Sequence, residues 1–240
     1  MRYPISNPAR FAAVLLVALP LVLKADAGQQ ERLVYEKPAG VTEKTRVPMS
    51  HSRGLFSKVP DSLALAVLCP EHTGLTVQEH PSIFWFMNEP VKGVIYKLTI
   101  TKAGETEALL EKQLDPEKDT GIQRLNLKDV SKTLEPNAEY KVTLYIIPDL
   151  KRRSNDLITG GMIKRIPAPE KLVSKLLTRP TPAERAIVYA RQGIWYDALA
   201  AISDQIATDP NNKELHLERA DLLEKVGLPE AAEFDKKLGS

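Results

Sequence analysis

The sequence holds a single cysteine, Cys69, in 240 residues. No disulfide can form within the chain, so stability has to come from a packed core. Charge of either sign is not in surplus, with 33 Lys and Arg against 31 Asp and Glu. A protein that grips nucleic acid displaces counterions with an excess of cations; this chain has almost none, which argues against nucleic acid as a partner. Also missing are the glycine-rich phosphate loops of Walker and dinucleotide sites and the Gly-x-Ser-x-Gly elbow of serine hydrolases. No cysteine pair exists to build a zinc site of the usual spacing. No cofactor is expected.

The longest apolar run, Phe11 to Leu23, is interrupted by Pro20 and falls short of the roughly 20 residues that cross a bilayer. Arg2 and Arg10 precede it, and Ala25 and Ala27 frame an Ala-x-Ala cleavage signal. This pattern predicts a secretory signal peptide over residues 1–27, cleaved after Ala27, and an exported protein of the periplasm or cell surface with no stable membrane insertion afterwards. Cleavage takes Lys and Arg from 33 to 30 and Asp and Glu from 31 to 30, leaving a neutral chain. Residues 28–60 carry Pro38, Pro48 and Pro60 and no apolar period, and are expected to form a mobile linker.

From residue 63 apolar side chains recur at every second position, the period of half-buried strands. Strands are predicted over Leu63–Leu68, Ser82–Met87, Gly93–Thr101, Ala108–Leu114, Gly121–Leu127, Tyr140–Ile147 and Leu157–Ile166, the last bent at Gly160 and Gly161. Seven short strands without helices between them imply an antiparallel β-sandwich of immunoglobulin or fibronectin type over residues 61–167. The run Leu134, Pro136, Tyr140 matches a tyrosine corner, in which the phenol bonds the backbone just upstream.

Beyond Pro167 the period becomes helical. Helices are predicted over Glu170–Leu177, Pro182–Gln192, Trp195–Thr208 and Lys213–Val226, with another at the end of the chain. Thr181 and Glu184 form a capping box with Pro182 at the first helical position. Gly193 and Gly227, Ala186 and Ala220, and Ala198 and Ala232 are each 34 positions apart, the tetratricopeptide period. The fold class is therefore mainly β plus α, a sandwich followed by a tetratricopeptide-like helical domain over residues 168–240. Two copies of the repeat are too few to bury their own faces, so the tail must dock on the sandwich or on a partner.

Cys69, His72 and His80 fall within a dozen residues and are of the types that bind copper or zinc. One cysteine and two histidines separated by a loop match no closed metal spacing, and a structural histidine beside a buried thiol is the plainer reading. A Cys69 and His80 pair is the candidate for hydrolytic chemistry, although Cys69 ends an apolar strand, where a thiol is inert. Trp195 and Tyr196 open a helix at the repeat turn, where such a pair is more often core than ligand stack; if partly exposed they are, with Glu79 and His80, the candidates for contact with a partner.

The segments Leu63 to Met87 and Thr181 to Ile202 carry a resemblance. Gly74, Leu75, Thr76, Glu79, His80, Pro81 and Trp85 in the first, and Arg185, Tyr189, Gly193, Trp195, Tyr196, Asp197 and Ala198 in the second, resemble the bacterial exported proteins grouped as domain of unknown function 928. The resemblance implies export and this order of modules, and it implies no reaction. The sequence thus points to a non-catalytic interaction module whose partner is another envelope protein. The alternatives are a copper or zinc protein using His72, His80 and Cys69, and a hydrolase with a Cys–His pair.

Overall fold

A computed structural model of the protein describes residues 32–41, 43–49, 59–115 and 120–240. The expected signal peptide lies outside the described residues. Within them, no helix is long and apolar enough to cross a membrane.

Among the described residues eight strands form two sheets: β1 (Leu65–Val67), β2 (Gly74–Thr76), β3 (Ser82–Met87), β4 (Ile95–Lys102), β5 (Ala108–Leu114), β6 (Gly121–Asn126), β7 (Glu139–Ile147) and β8 (Leu157–Arg165). The smaller sheet has the order β1-β3-β6 and the larger β2-β8-β7-β4-β5. Alternation does what it should: Leu98 and Ile100 of β4 pair with Leu144 and Val142 of β7, and all four are fully buried. Every position of β3 is buried, because its two neighbours in the sheet are joined by α3 (Trp195–Thr208), which packs against it. β1 in turn lies against β7 and β8. The Tyr140 hydroxyl accepts a hydrogen bond from the Glu135 amide at 3.0 Å, as the expected corner requires. Tyr96 repeats the device at the same spacing, accepting from the Val91 amide at 2.7 Å.

Two details of the sheets differ from expectation. β2 lies in what reads as a loop, since three residues are too few for a period, and it pairs with β8 in parallel, so the larger sheet is not wholly antiparallel. The register of β7 with β8 runs unbroken through Gly160 and Gly161, and the irregularity falls instead between Ile100 and Thr101. The glycines serve close approach. A Cβ on Gly161 would sit 2.3 Å from the Cys69 sulfur, so the thiol occupies the space that a side chain would fill.

The remaining helices are α1 (Glu170–Leu176), α2 (Pro182–Arg191), α4 (Lys213–Lys225) and α5 (Pro229–Leu238). Both halves of the Thr181–Glu184 capping box are made. Gly193 and Gly227 adopt φ of 71° and 73°, the left-handed backbone that favours glycine after a helix. At the first turn Gly193 donates to Ala190 and Ile194 to Tyr189, and 34 residues later Gly227 donates to Glu224 and Leu228 to Leu223. The same helix ending, the Schellman pair of hydrogen bonds, is built twice.

The strand and helix regions are not separate bodies: residues 31–240 form one compact unit, and a continuous cluster of buried side chains runs from Leu33 to Ala232. The expectation of a mobile linker over 28–60 is corrected for its described parts. Leu33 and Tyr35 are buried, the Glu36 amide donates to the Ala190 carbonyl at 3.0 Å, and Val47 and Gly160 exchange both backbone hydrogen bonds. The Arg46 guanidinium donates to the carbonyls of Cys69 at 3.3 Å and Val226 at 2.7 Å. An aperiodic, proline-bearing segment can still dock when its backbone groups find partners on other elements.

The contact between Cys69 and Gly161 is testable. Gly161→Ala should destabilise the protein by about 1–3 kcal/mol through overpacking, and most of that loss should vanish in a Cys69→Ala background, where the obstructing sulfur is gone. Urea unfolding midpoints of the four variants in the cycle measure the coupling; simple additivity would refute it.

Candidate cleft at the sheet and helix junction

The helices meet the sheets through α3, whose first turn carries two of the largest buried side chains, and through Phe234 of α5, which packs on Phe86 of β3. Trp195 and Tyr196 are 0% and 1% exposed, which corrects their expected role as partner contacts. The Trp195 indole donates to the Leu68 carbonyl at 2.9 Å and the Tyr196 hydroxyl to the Met162 carbonyl at 3.3 Å. Gly74 admits the Tyr196 ring, since a Cβ there would lie 2.6 Å from it. The repeat turn places these large aromatics on the inward face of α3, where they fasten the two layers of the chain's own fold.

The other singled-out residues are engaged with separate partners. Cys69 is fully buried and its thiol donates to the Gly160 carbonyl at 3.7 Å. Burial pushes its pKa up to about 12, against the opposing field of Arg46, so the thiolate needed for nucleophilic or metal chemistry is strongly disfavoured. His72 is buried, with Nε2 at 3.2 Å from the Tyr35 hydroxyl. Burial first, then Lys37, lowers its pKa, while Glu71 raises it. His80 is bonded elsewhere: Nδ1 donates to the Lys132 carbonyl at 2.8 Å, and Nε2 lies 3.2 Å from Glu79, which also faces Arg165 at 3.5 Å. Among the described residues no three His, Cys, Asp or Glu side chains are grouped to hold a metal ion.

Of that set, His80 lines an open cleft of about 220 Å³. Thr76, at the end of β2, lines it together with Tyr196 and Asp197 of α3. Arg185 and Tyr189 come from α2, Ser82 and Arg124 from β3 and β6, and Asp204 from the next turns of α3. Both segments that carry the family resemblance therefore meet here, through Thr76 and His80 from one and Arg185, Tyr189 and Asp197 from the other.

Asp197 is the unusual member. It is 4% exposed, its Oδ2 accepts from the Val77 amide at 3.2 Å, and its Oδ1 has no hydrogen-bond partner among the described residues. Burial raises its pKa from 3.8 to about 6, against the lowering pull of the Thr76 and Gln78 side chains and the Val77 amide. Burial also raises the pKa of Tyr189. By contrast Arg124 is paired: its guanidinium bonds Asp204 and, through Nε, the Ser82 hydroxyl at 2.7 Å.

Sequence reading missed Asp197 as a site residue, although a signal is present in a carboxylate set among Trp195, Tyr196, Ala198 and Leu199 at the start of an inward-facing helix. No sequence signal joins Arg124 to Asp204, which are 80 positions apart.

A mixed β and α fold with mainly antiparallel sheets, five α-helices among the described residues and a polar cleft at their junction defines the class. The chain belongs to the family described as Domain of Unknown Function (DUF928), which matches residues 49–235. No curated protein matches it. Among solved structures it is similar to the fn3 domain of the human collagen alpha-1(XX) chain, at 12% identity over 50% of this chain and 93% of that one, with a TM-score of 0.27. It is also similar to a multi-domain immunophilin from Arabidopsis thaliana, at 8% identity over 85% of this chain and 99% of that one, with a TM-score of 0.18.

The raised pKa has a consequence for stability. Between pH 3.8 and about 6 the folded protein holds a proton on Asp197 that the unfolded chain has released, so this group's contribution falls as pH rises through that window. A shift of this size corresponds to a penalty of roughly 3 kcal/mol, present in full at pH 7. Asp197→Asn retains an acceptor for the Val77 amide and removes the charge. The variant should be more stable than the parent at pH 7 by roughly 1–3 kcal/mol, with the gap closing toward pH 4. Urea unfolding from pH 4 to 8 tests this, and a gap independent of pH would exclude the assignment.

Proposed function

We propose that the protein is an exported, non-catalytic binding protein of the cell envelope and that the cleft around Asp197 is its recognition site. In this reading the strands form a fibronectin-like sandwich and the helices a tetratricopeptide-like tail folded back onto it. Export rests on the basic and apolar pattern of residues 1–27 and the Ala25–Ala27 signal. The partner is another envelope component, consistent with a mature chain of zero net charge that steers no particular macromolecule to its surface.

The observation that carries the proposal is a buried carboxylate that destabilises the fold and has one oxygen without a partner among the described residues, set beside an open polar cleft. Strained or costly groups of this kind concentrate where a ligand completes them. A binding role is favoured over hydrolysis because the Cys69 proton is held and its sulfur points at a backbone carbonyl. No such support exists for the copper or zinc reading, since Cys69, His72 and His80 each have a different neighbour.

Three measurements test the proposal. The intact mass of protein recovered from the envelope fraction should begin at Gly28; a full-length mass in the cytoplasm would end the export reading. A broad panel of ester, amide and phosphoester substrates should show no turnover, and hydrolysis lost in Cys69→Ser or Asp197→Asn would make the protein an enzyme. Ligands that raise the melting temperature of the parent should lose that effect in Asp197→Asn, whereas an unchanged effect would move the recognition site elsewhere.

A further inference from the structure

An imbalance of charge in the cleft narrows the class of ligand it accepts, provided that the cleft is the recognition site proposed for it. Arg124 and Asp204 neutralise one another across β6 and α3, and the Arg124 guanidinium also lies over the Phe84 ring at 5.3 Å. His80 has both ring nitrogens engaged, at 2.8 Å from the Lys132 carbonyl and 3.2 Å from Glu79. Two groups of opposite sign remain. Asp197 has an oxygen without a partner among the described residues. Arg185 is held by the carbonyls of Arg179 at 3.4 Å and Pro180 at 2.8 Å, neutral acceptors that fix its guanidinium without cancelling its charge.

We infer that the cleft binds a small zwitterion, a free α-amino acid or short peptide, whose ammonium group completes Asp197 and whose carboxylate meets Arg185. A lone cation would leave the Arg185 charge unmet, and a lone anion would leave Asp197 unmet. A molecule carrying both charges meets both unfilled groups, and charge-assisted hydrogen bonds to each are the strong kind. The Arg185 fork suits a carboxylate in particular. At about 220 Å³ the space lies below the roughly 300–1,000 Å³ of drug-sized sites, which suits a ligand of one or two residues. The ammonium donates its protons to oxygen acceptors in the cleft, and no bond is made or broken.

The titratable and charged groups that line the cleft with Asp197 are His80 beyond β2, Arg124 from β6, Arg185 and Tyr189 from α2, and Tyr196 and Asp204 from α3. Below about pH 6 Asp197 takes up a proton and no longer attracts a cation, so affinity should drop as pH falls from 7 to 5.

The experiment is calorimetric titration of the mature protein with the twenty common amino acids and a set of dipeptides, each compared with its N-acetyl and methyl ester forms. At least one zwitterion should bind. Acetylation, which removes the ammonium, and esterification, which removes the carboxylate, should each weaken it at least tenfold. Asp197→Asn and Arg185→Gln should do the same while retaining the far-ultraviolet spectrum and cooperative melting of the parent. A peptide blocked at both ends with adjacent internal Lys and Asp carries both charges without free termini: its failure to bind is expected of a site for a free amino acid or short peptide, and tighter binding by it than by any unblocked compound would overturn the inference in favour of a segment within a partner chain. Equal affinity for blocked and unblocked forms, or no binding by any zwitterion, would overturn the inference. In that event a parallel titration with neutral saccharides and simple amines distinguishes the two readings. Binding there that is lost in Asp197→Asn preserves the cleft as a recognition site, and silence throughout removes both.

Discussion

The seam between the first turn of α3 and the ends of the strands holds the rest of the molecule in place. Trp195 is the largest fully buried side chain among the described residues, and its indole finds the one polar partner it needs in the Leu68 carbonyl at the end of β1. Tyr35 stands edge-on to the same ring at 5.2 Å, and Tyr196 beside it reaches β8. Burying aromatics of this size supplies several kcal/mol, and the hydrogen bonds at their rims fix where they sit. Asp197 is the next residue along. Its position beside the cleft is therefore set by the same turn that locks the layers together.

Two buried aspartates show how differently the chain treats this residue type. In the helical layer Asp235 is fully buried and is compensated: Arg219 donates to both carboxylate oxygens at 2.6 and 2.7 Å, and His216 Nδ1 lies 3.2 Å away. Arg219 is itself tied to Ser203 at 3.1 Å. Such a closed set offsets the cost of burying charge. Asp197 receives no comparable partner among the described residues, and its pKa rises as a result. The chain thus neutralises one interior carboxylate with an arginine and a histidine and leaves the other with neutral donors alone, the contrast on which the proposed recognition site rests.

Most of the fold is legible in the sequence because its two periods are strong. The strand over Ser82–Met87 and the helix over Trp195–Thr208 are readable to the residue, and the 34-residue spacing correctly locates two identical helix endings. What escapes is whatever lacks a period. β2 has only three residues, and the segment around Tyr35 and Arg46 takes its shape from hydrogen bonds to partners far along the chain. The site is legible only in part. His80 can be singled out by its proximity to proline and aromatics, but for Trp195 and Tyr196 a helix start does not decide between core and partner contact, because it gives no hint of what covers it. The pairing of Arg124 with Asp204 depends on a β6 and α3 contact that no local pattern encodes.

The Arg46 bridge to Val226 spans 180 positions, and the Tyr35 contact with Gly193 spans 158. An early stretch of the chain thus finds its resting place on residues near the opposite end. Closing so wide a loop is entropically slow. Arg46 can reach the Cys69 carbonyl and Tyr35 the His72 ring early, but the contacts with Gly193 and Val226 form only once the helices have folded. The docked state of this stretch therefore depends on the folding of the helices as far as the turn around Gly227.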